Sequence, residues 1–282
     1  MRRHELTLYF VLAYGIAWIV WLPLLLGQSG VGWTHSNAGM FPWIPLGTIG
    51  PFAAALIAQA VCRRNLRAFR LWTSLPRMLL GTLVGMVCIL ISRWPLAALG
   101  MTQSGFHAWD WAALLDFRHW FIPMLIAGPL GEEPGWRGFA LPRMQSRWEP
   151  TRASILLGVL WAGWHLPLFL VHGWTTAPVW AFFVIVTGLS VIMTFGFNLS
   201  RGSVIVAILL HDTHNSAGGP LYEMLARATL RKHPSPDVFT ACAFVVMGVA
   251  LIALTRGRLG WERTRASGAA PSSPAEALRE AD

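Results

Sequence analysis

Long apolar stretches alternate with short polar connections along most of the chain. A helix needs about 20 predominantly apolar residues to cross the hydrocarbon core of a bilayer. Stretches of roughly this length occupy residues 6–26, 44–62, 78–99, 119–141, 153–171, 179–198, 203–219 and 238–255. The pattern therefore predicts an all-α, polytopic membrane protein with about eight transmembrane helices.

Two of the predicted spans depart from a uniformly apolar pattern. The fourth contains Pro129 and Pro134 together with two glutamates, and the seventh is short and carries His211 and Asn215. Broken or polar segments are tolerated at membrane depth only where protein encloses them or where they line a cavity. These two spans therefore indicate an internal cavity that carries the functional residues.

Composition supports the membrane assignment and limits the partners. Hydrophobic residues make up 55% of the 282 residues and charged residues only 12%, with a mean hydropathy of +0.51. We interpret residues 1–260 as one integral-membrane domain and residues 261–282 as a disordered cytoplasmic tail. The net charge of +9 does not indicate nucleic acid binding, because basic residues of a membrane protein usually lie in cytoplasmic loops and no aromatic-basic pattern suggests an RNA or DNA surface. Membrane lipid is the expected partner of the apolar surface.

Basic residues are distributed unevenly between the two sides that eight spans define. Sixteen of the 22 Lys and Arg residues fall on the side of the N-terminus and five on the other, with Arg137 set aside as buried. Cytoplasmic loops usually carry the excess of Lys and Arg. We therefore expect a multi-pass protein of the cell (plasma) membrane with both N- and C-termini in the cytoplasm.

Two adjacent glutamates and an arginine form the most polar group in the fourth span. Glu133 and Arg137 are four residues apart and share one helix face, which favours an ion pair. Glu132 is rotated by about 100° from Glu133 and can point elsewhere. We interpret Glu133 as braced by Arg137 and Glu132 as free to act on water. The alternative is a loop at the membrane edge with ordinary surface charges.

Histidines in two further spans add to this group. His165 lies within a span, where an unpaired polar group is costly, and Glu132 is a candidate partner. Gly158 and Gly163 in the same span would let another helix approach closely. A lone histidine among apolar residues is, however, more often a hydrogen-bonded packing residue.

His211 and Asn215 are four residues apart and project from one helix face. Two donors aimed at a common point suit the stabilisation of a developing oxyanion. Asp212 and His214 lie on other faces of the same segment. The alternative is a polar helix end with capping roles.

Glu132, His165, His211 and Asn215 together supply what hydrolysis requires, namely a base, an orienting group and oxyanion donors. Glu132, His165 and His211 could also hold one divalent metal ion such as zinc, with a position left for water. The residues leave open whether the site uses a metal ion or none. The sequence lacks the HExxH motif of zinc proteases.

The motifs EExxxR at 132–137, His165 within a span, and HxxxN at 211–215 resemble those of the CPBP family. This family comprises CAAX prenyl proteases of the Rce1 type and bacteriocin-processing or Abi proteins. The context is also similar, with Gly138, Phe139 and Leu141 after the first motif and Arg201-Gly202-Ser203 before the third. The resemblance covers roughly residues 120–220.

The resemblance implies an intramembrane endopeptidase with an eight-helix core and a conical cavity that opens to the cytoplasm. By motif position, Glu132 would activate water with help from His165, and His211 with Asn215 would form the oxyanion site. Glu133 and Arg137 would support the cavity wall. The family commonly has Phe four residues before the histidine, whereas this chain has Trp161, which could change the shape of the cavity.

The expected partner is therefore a peptide or protein substrate, including a membrane-anchored one. A non-catalytic bacteriocin-immunity or scaffold protein of the same fold is the first alternative. A small-molecule transporter with an intramembrane ion or proton relay is the second. A transporter would be favoured by inverted repeats, and none is recognisable in the sequence.

Overall fold

A computed structural model describes residues 4–35, 38–62, 69–104, 117–175, 177–227 and 236–261, and only the backbone of 94–104, 117–120, 218–227 and 236. The predicted tail, apart from Trp261, and the basic residues Arg63, Arg64 and Arg67 lie outside the described residues. All regular structure in the described part of the chain is helical. The all-α fold class predicted from the sequence is therefore confirmed.

Up to residue 104, the described residues form four α-helices, which are α1 (Glu5–Leu26), α2 (Met40–Thr48), α3 (Gly50–Val61) and α4 (Leu75–Ser104). From residue 117 follow α5 (Phe117–Ala127), α6 (Pro129–Gly135), a π-helical turn (Trp136–Ala140) and α7 (Leu141–Gln145). The chain continues with α8 (Pro150–Trp164), a 3-10 helix (Leu166–Leu170), α9 (Val179–Leu199), α10 (Val204–Arg227) and α11 (Pro236–Leu254). Each of the eight predicted spans coincides with one or more of these helices.

Six helical segments within the described residues are long and apolar enough to cross a membrane. They are Glu5–Leu26, Met40–Val61, Leu75–Arg93, Pro150–Leu170, Val179–Leu199 and Asp237–Leu254. The two predicted spans outside this set are the fourth, which is broken into three short helical pieces, and the seventh, which carries the polar motif. The predicted count of eight is thus approximate, and the two exceptions are the segments with the candidate chemistry.

Contacts between helix ends show how the helices alternate in direction. At one end, Arg143 Nε donates to Glu5 Oε1 at 2.9 Å and Thr151 Oγ1 donates to the Gly257 carbonyl at 2.8 Å. At the other end, the His172 amide donates to the Ser29 carbonyl at 2.8 Å. We call the first the basic end, because it carries most of the described arginines, and the second the opposite end. The N-terminal residue of α1 and the C-terminal residue of α11 both lie at the basic end.

Small residues allow α8 and α9 to pack at very short range. A Cβ added to Gly158 would lie 2.7 Å from the Cα of Thr187, so the two backbones almost touch at this point. Ser154 adds hydrogen bonds, since its carbonyl accepts from Ser190 Oγ and its hydroxyl accepts from Thr194 Oγ1, both at 2.9 Å. The expectation for Gly158 is confirmed. Gly163 instead faces a side chain, with the Tyr14 hydroxyl 3.2 Å from an added Cβ.

We expect Gly158→Ala to destabilise the protein by about 1–3 kcal/mol, because a methyl group at this position forces two packed helices apart. Gly15→Ala is the matched control in α1, since nothing lies within 4 Å of a Cβ added there. The control should be neutral or stabilising by about 1 kcal/mol through helix propensity. Thermal unfolding in detergent measures both variants. Equal melting temperatures for the two would contradict the close approach of α8 and α9.

Candidate active site

The segment that carries the glutamates is held against α2 and α3 by close backbone contact. It begins at Gly128, the residue before α6, and Pro129 starts the helix, where a missing amide hydrogen has no cost. A Cβ added to Gly131 would lie 2.6 Å from the carbonyl oxygen of Thr48. Thr48 also donates through its hydroxyl to the Ala127 carbonyl at 3.0 Å. This broken span is therefore fixed in place rather than loosely exposed at a membrane edge.

One oxygen of Glu133 joins two motifs of the sequence. Arg137 Nη1 donates to Glu133 Oε1 at 3.0 Å, and His211 Nδ1 lies 2.8 Å from the same oxygen. Glu133 and Arg137 are both fully buried. The ion pair expected from the spacing of Glu133 and Arg137 is present. The contact with His211 was not predicted, and it fixes the ring orientation of that histidine.

The two oxygens of Glu132 have different environments. Oε2 accepts a hydrogen bond from Trp161 Nε1 at 2.6 Å. Oε1 faces the space beside Gly128, where an added Cβ would lie 3.0 Å from it, 3.7 Å from Asn215 Nδ2 and 3.8 Å from His211 Cε1. Atoms of Glu132, His211 and Asn215 thus converge on one small volume. The absence of a side chain at residue 128 keeps this volume open.

His165 lies where α8 ends and the 3-10 helix begins. Its Nδ1 is 2.9 Å from the carbonyl oxygen of Trp161, and a bond donated by Nδ1–H leaves Nε2 as the acceptor of the neutral ring. The ring is surrounded by Trp164, Trp174 and Phe182, with centroid distances of 4.6, 5.7 and 5.3 Å. Glu132, the expected partner, shares the cavity wall with His165. The hydrogen-bond partner found among the described residues is the backbone of Trp161.

Trp161 contacts Glu132, Arg137 and His211, and the sequence did not predict these contacts. Its indole donates a hydrogen bond to Glu132. The guanidinium carbon of Arg137 lies 4.3 Å from the centroid of the Trp161 ring. The ring also packs edge-on against His211, with a centroid distance of 4.9 Å. Only 2% of its surface is exposed. A phenylalanine could supply the packing but no N–H donor. The signal in the sequence was the tryptophan at position 161, where the family commonly has phenylalanine. In the structure, this tryptophan adds a hydrogen bond to Glu132 and does more than change the shape of the cavity.

The polar groups line a cavity of about 820 Å³. Much of its wall is apolar and includes Ile44, Met124, Leu168, Trp174, Phe182 and Val186. The cavity also reaches Arg93, whose Nη2 lies 3.1 Å from His214 Nε2 and donates to the His214 carbonyl at 3.3 Å. Its volume and its mostly apolar wall with a few convergent polar groups are typical of ligand-binding cavities.

His214 and Asp212, the other polar residues of the third motif, occupy different places. His214 lines the cavity beside Arg93. Asp212 is fully buried and accepts a hydrogen bond from Ser216 at 3.3 Å on its own helix. Neither residue bonds Glu132 or Asn215 among the described contacts. Asp212 therefore stands apart from the convergence point beside Gly128.

The proposed metal ligands do not form a ligand set in this arrangement. No group of three His, Cys, Asp or Glu side chains among the described residues is placed to hold a metal ion. Hydrogen bonds engage the Nδ1 atoms of His165 and His211 and one oxygen of Glu132, and they leave the two Nε2 atoms and Glu132 Oε1 as the remaining candidate ligand atoms. Among the described residues, Glu132, His165 and His211 are thus not placed as a common ligand set, and we derive no reaction step through a metal ion.

The fold and the site define a polytopic helical membrane protein with buried ionisable residues around an internal cavity. A family model described as Type II CAAX prenyl endopeptidase Rce1-like matches residues 114–217. CAAX prenyl protease 2 of Methanococcus maripaludis is 27% identical over 233 residues, which cover 74% of this chain and 82% of that protein. Both findings support the resemblance to the CPBP family of intramembrane proteases. These findings support an intramembrane endopeptidase.

We expect Gly128→Ala to abolish most proteolysis without unfolding the protein. The added methyl group would occupy the volume between Glu132 Oε1, His211 and Asn215, and displacement of reacting groups by about 1 Å costs roughly a hundredfold in rate. Gly248→Ala is the control, because its nearest neighbour would be an ordinary contact at 3.9 Å. The measurement is the initial rate of peptide cleavage by purified protein, with melting temperature recorded in parallel. A fully active Gly128→Ala variant would place the reacting atoms elsewhere.

Proposed function

We propose that this protein is an endopeptidase that cleaves a peptide bond inside the membrane, using water activated by Glu132. The observation that carries the proposal is the convergence of Glu132 Oε1, Asn215 Nδ2 and the His211 ring on the space beside Gly128. A carboxylate supplies a base, and amide and imidazole groups supply donors. A reacting carbonyl at this point would lie within reach of both kinds of group.

Glu132 acts as the general base in this scheme. Its Oε1 takes a proton from a water molecule, while its Oε2 remains hydrogen-bonded to Trp161. The resulting hydroxide attacks the carbonyl carbon of the scissile peptide bond. General base catalysis of this kind contributes about 10²–10⁴-fold to the rate. The protonated Glu132 then donates its proton to the departing amine, which restores the carboxylate.

His211 and Asn215 stabilise the oxyanion that forms on the attacked carbonyl. Asn215 presents Nδ2–H donors towards the space beside Gly128. When His211 is protonated, its Nδ1–H donates to Glu133 and its Nε2–H is available to the oxyanion. Glu133 and Arg137 hold His211 in orientation and do not contact substrate. Donors fixed before the reaction cost no reorganisation when charge develops.

His165 positions the water molecule. Its Nδ1 is held by the Trp161 carbonyl, so Nε2 of the neutral ring is an acceptor for a water hydrogen. Aromatic side chains surround the ring and limit its rotation. The substrate class that fits this site is a peptide segment of a membrane-anchored protein, with apolar side chains against the apolar cavity wall. A CAAX prenyl protease-like reaction is one member of this class.

We expect Glu132→Gln to reduce cleavage by about 10²–10⁴-fold, because the amide keeps the shape of the side chain but cannot accept the proton of water. Glu149→Gln is the control, since Glu149 is exposed at the start of α8. Membrane fractions of cells that produce the native protein or either variant are compared by mass spectrometry for new peptide C-termini.

New C-termini that depend on Glu132 and persist in Glu149→Gln would support the proposal. An active Glu132→Gln variant that folds normally would refute the role of Glu132 as base. A biological effect of the protein that survives simultaneous loss of Glu132, His165, His211 and Asn215 would instead favour the non-catalytic immunity or scaffold function.

We expect cleavage to persist after divalent metal ions are removed with a chelator and dialysis. The reason is that the described side chains provide no three-ligand arrangement for a metal ion. The measurement is the rate of peptide cleavage before and after treatment, with added zinc as a further sample. Loss of activity that zinc restores would contradict the metal-free scheme.

A further inference from the structure

The cavity and the basic residues lie at opposite ends of the helical bundle. Residues that line the cavity include Met40 at the start of α2, Phe182 near the start of α9 and Asp237 at the start of α11. Trp174 and Thr175 in the loop before α9 also line it. This loop is joined to the α1–α2 connection, and both belong to the opposite end. The candidate catalytic residues therefore open away from the N-terminus.

Most of the described arginines lie at the basic end, away from the cavity. The described arginines at the basic end are Arg70, Arg77, Arg143, Arg147, Arg152, Arg201, Arg256 and Arg258. Contacts tie this end together, since Arg70 Nη1 donates to the Arg201 carbonyl at 3.0 Å and the Val204 amide donates to the Arg70 carbonyl at 3.0 Å. Arg93, in contrast, lines the cavity. Among the described residues, the placement of these eight arginines agrees with the charge asymmetry of the sequence.

Two expectations from the sequence exclude one another in this fold. Charge asymmetry places the basic end, with both termini, in the cytoplasm. The family resemblance implies a cavity that opens to the cytoplasm, but the cavity lies at the opposite end of the helices. Only one of the two statements can hold. The charge asymmetry is a property of this chain itself and involves short loops, for which the positive-inside rule is strongest.

We propose that the cavity opens on the extracytoplasmic side of the membrane. The substrate class is then a peptide segment presented at that face, such as a juxtamembrane segment of an exported, membrane-anchored protein. The side of opening follows from the fold and the charge, whereas the substrate class rests on the proposed endopeptidase function. Peptides confined to the cytoplasm would not reach Glu132 without crossing the bilayer.

Cysteine accessibility in intact cells tests the orientation of the full-length protein. The native Cys62, Cys88 and Cys242 are first replaced by serine or alanine. Single cysteines are then introduced as Thr175→Cys in the cavity wall, Thr34→Cys at the opposite end outside the cavity, and Ser146→Cys at the basic end. Each variant is treated with a membrane-impermeant maleimide before and after permeabilisation, and labelling in detergent confirms that the cysteine is present and reactive.

We expect Thr34→Cys and Thr175→Cys to be labelled in intact cells and Ser146→Cys only after permeabilisation. Labelling of Ser146→Cys in intact cells would overturn the proposal. Protection of Thr175→Cys while Thr34→Cys is labelled would also overturn it, because the cavity would then be closed to that face. These outcomes concern orientation alone, and cleavage by Glu132→Gln in detergent tests the catalytic function separately.

Inhibition by the same reagent links the orientation to the substrate. In intact cells, the bulky adduct on Thr175→Cys should stop Glu132-dependent cleavage, whereas the adduct on Thr34→Cys should not, since that residue lies outside the cavity wall. Continued cleavage with fully labelled Thr175→Cys would contradict substrate entry through this opening. An equal loss in both variants would show a general effect of labelling and would also count against the proposal.

Discussion

A single carboxylate oxygen, Glu133 Oε1, contacts both Arg137 and His211 in the buried interior of the protein. Isolated charges are very costly in such a place, and removal of one partner of a buried pair typically destabilises a protein by about 3–5 kcal/mol. The contact joins α6 to α10 and sets the ring orientation of His211. Arg137 in turn lies over the ring of Trp161, which holds Glu132. The geometry of the site therefore depends on Glu133, which contacts no substrate in our scheme.

Spacing within one helix was enough to predict some of these contacts, and sequence separation explains why others were missed. The pairing of Glu133 with Arg137 follows from four-residue periodicity. The contact of Glu133 with His211 joins residues 78 positions apart, so it depends on how α6 and α10 pack. The family resemblance brought Glu132, His165, His211 and Asn215 together in function. It did not indicate that Trp161 would bond Glu132.

The fold was predictable for a different reason. Apolar segments in a bilayer can satisfy their backbone groups only as helices or closed barrels, so long apolar stretches leave little choice. The same constraint marked the broken segment at Pro129 and the polar segment at His211 as exceptions. The end of the helical bundle at which the cavity opens could be found only from the three-dimensional structure, because it depends on which ends of the helices surround Glu132. Charge counts describe the sides of the membrane, but they do not locate a cavity.

The hydrogen bond from Trp161 gives the two oxygens of Glu132 unequal freedom. A carboxylate that is free to turn by half a rotation can collect a proton on one oxygen and deliver it from the other. In the proposed mechanism, one oxygen is tied to the indole of Trp161, so Glu132 would collect and deliver the proton at the same atom. The entering water and the departing amine must then visit the same position in turn. Release of the first cleavage product, and the path along which it leaves, thereby become part of the chemical cycle.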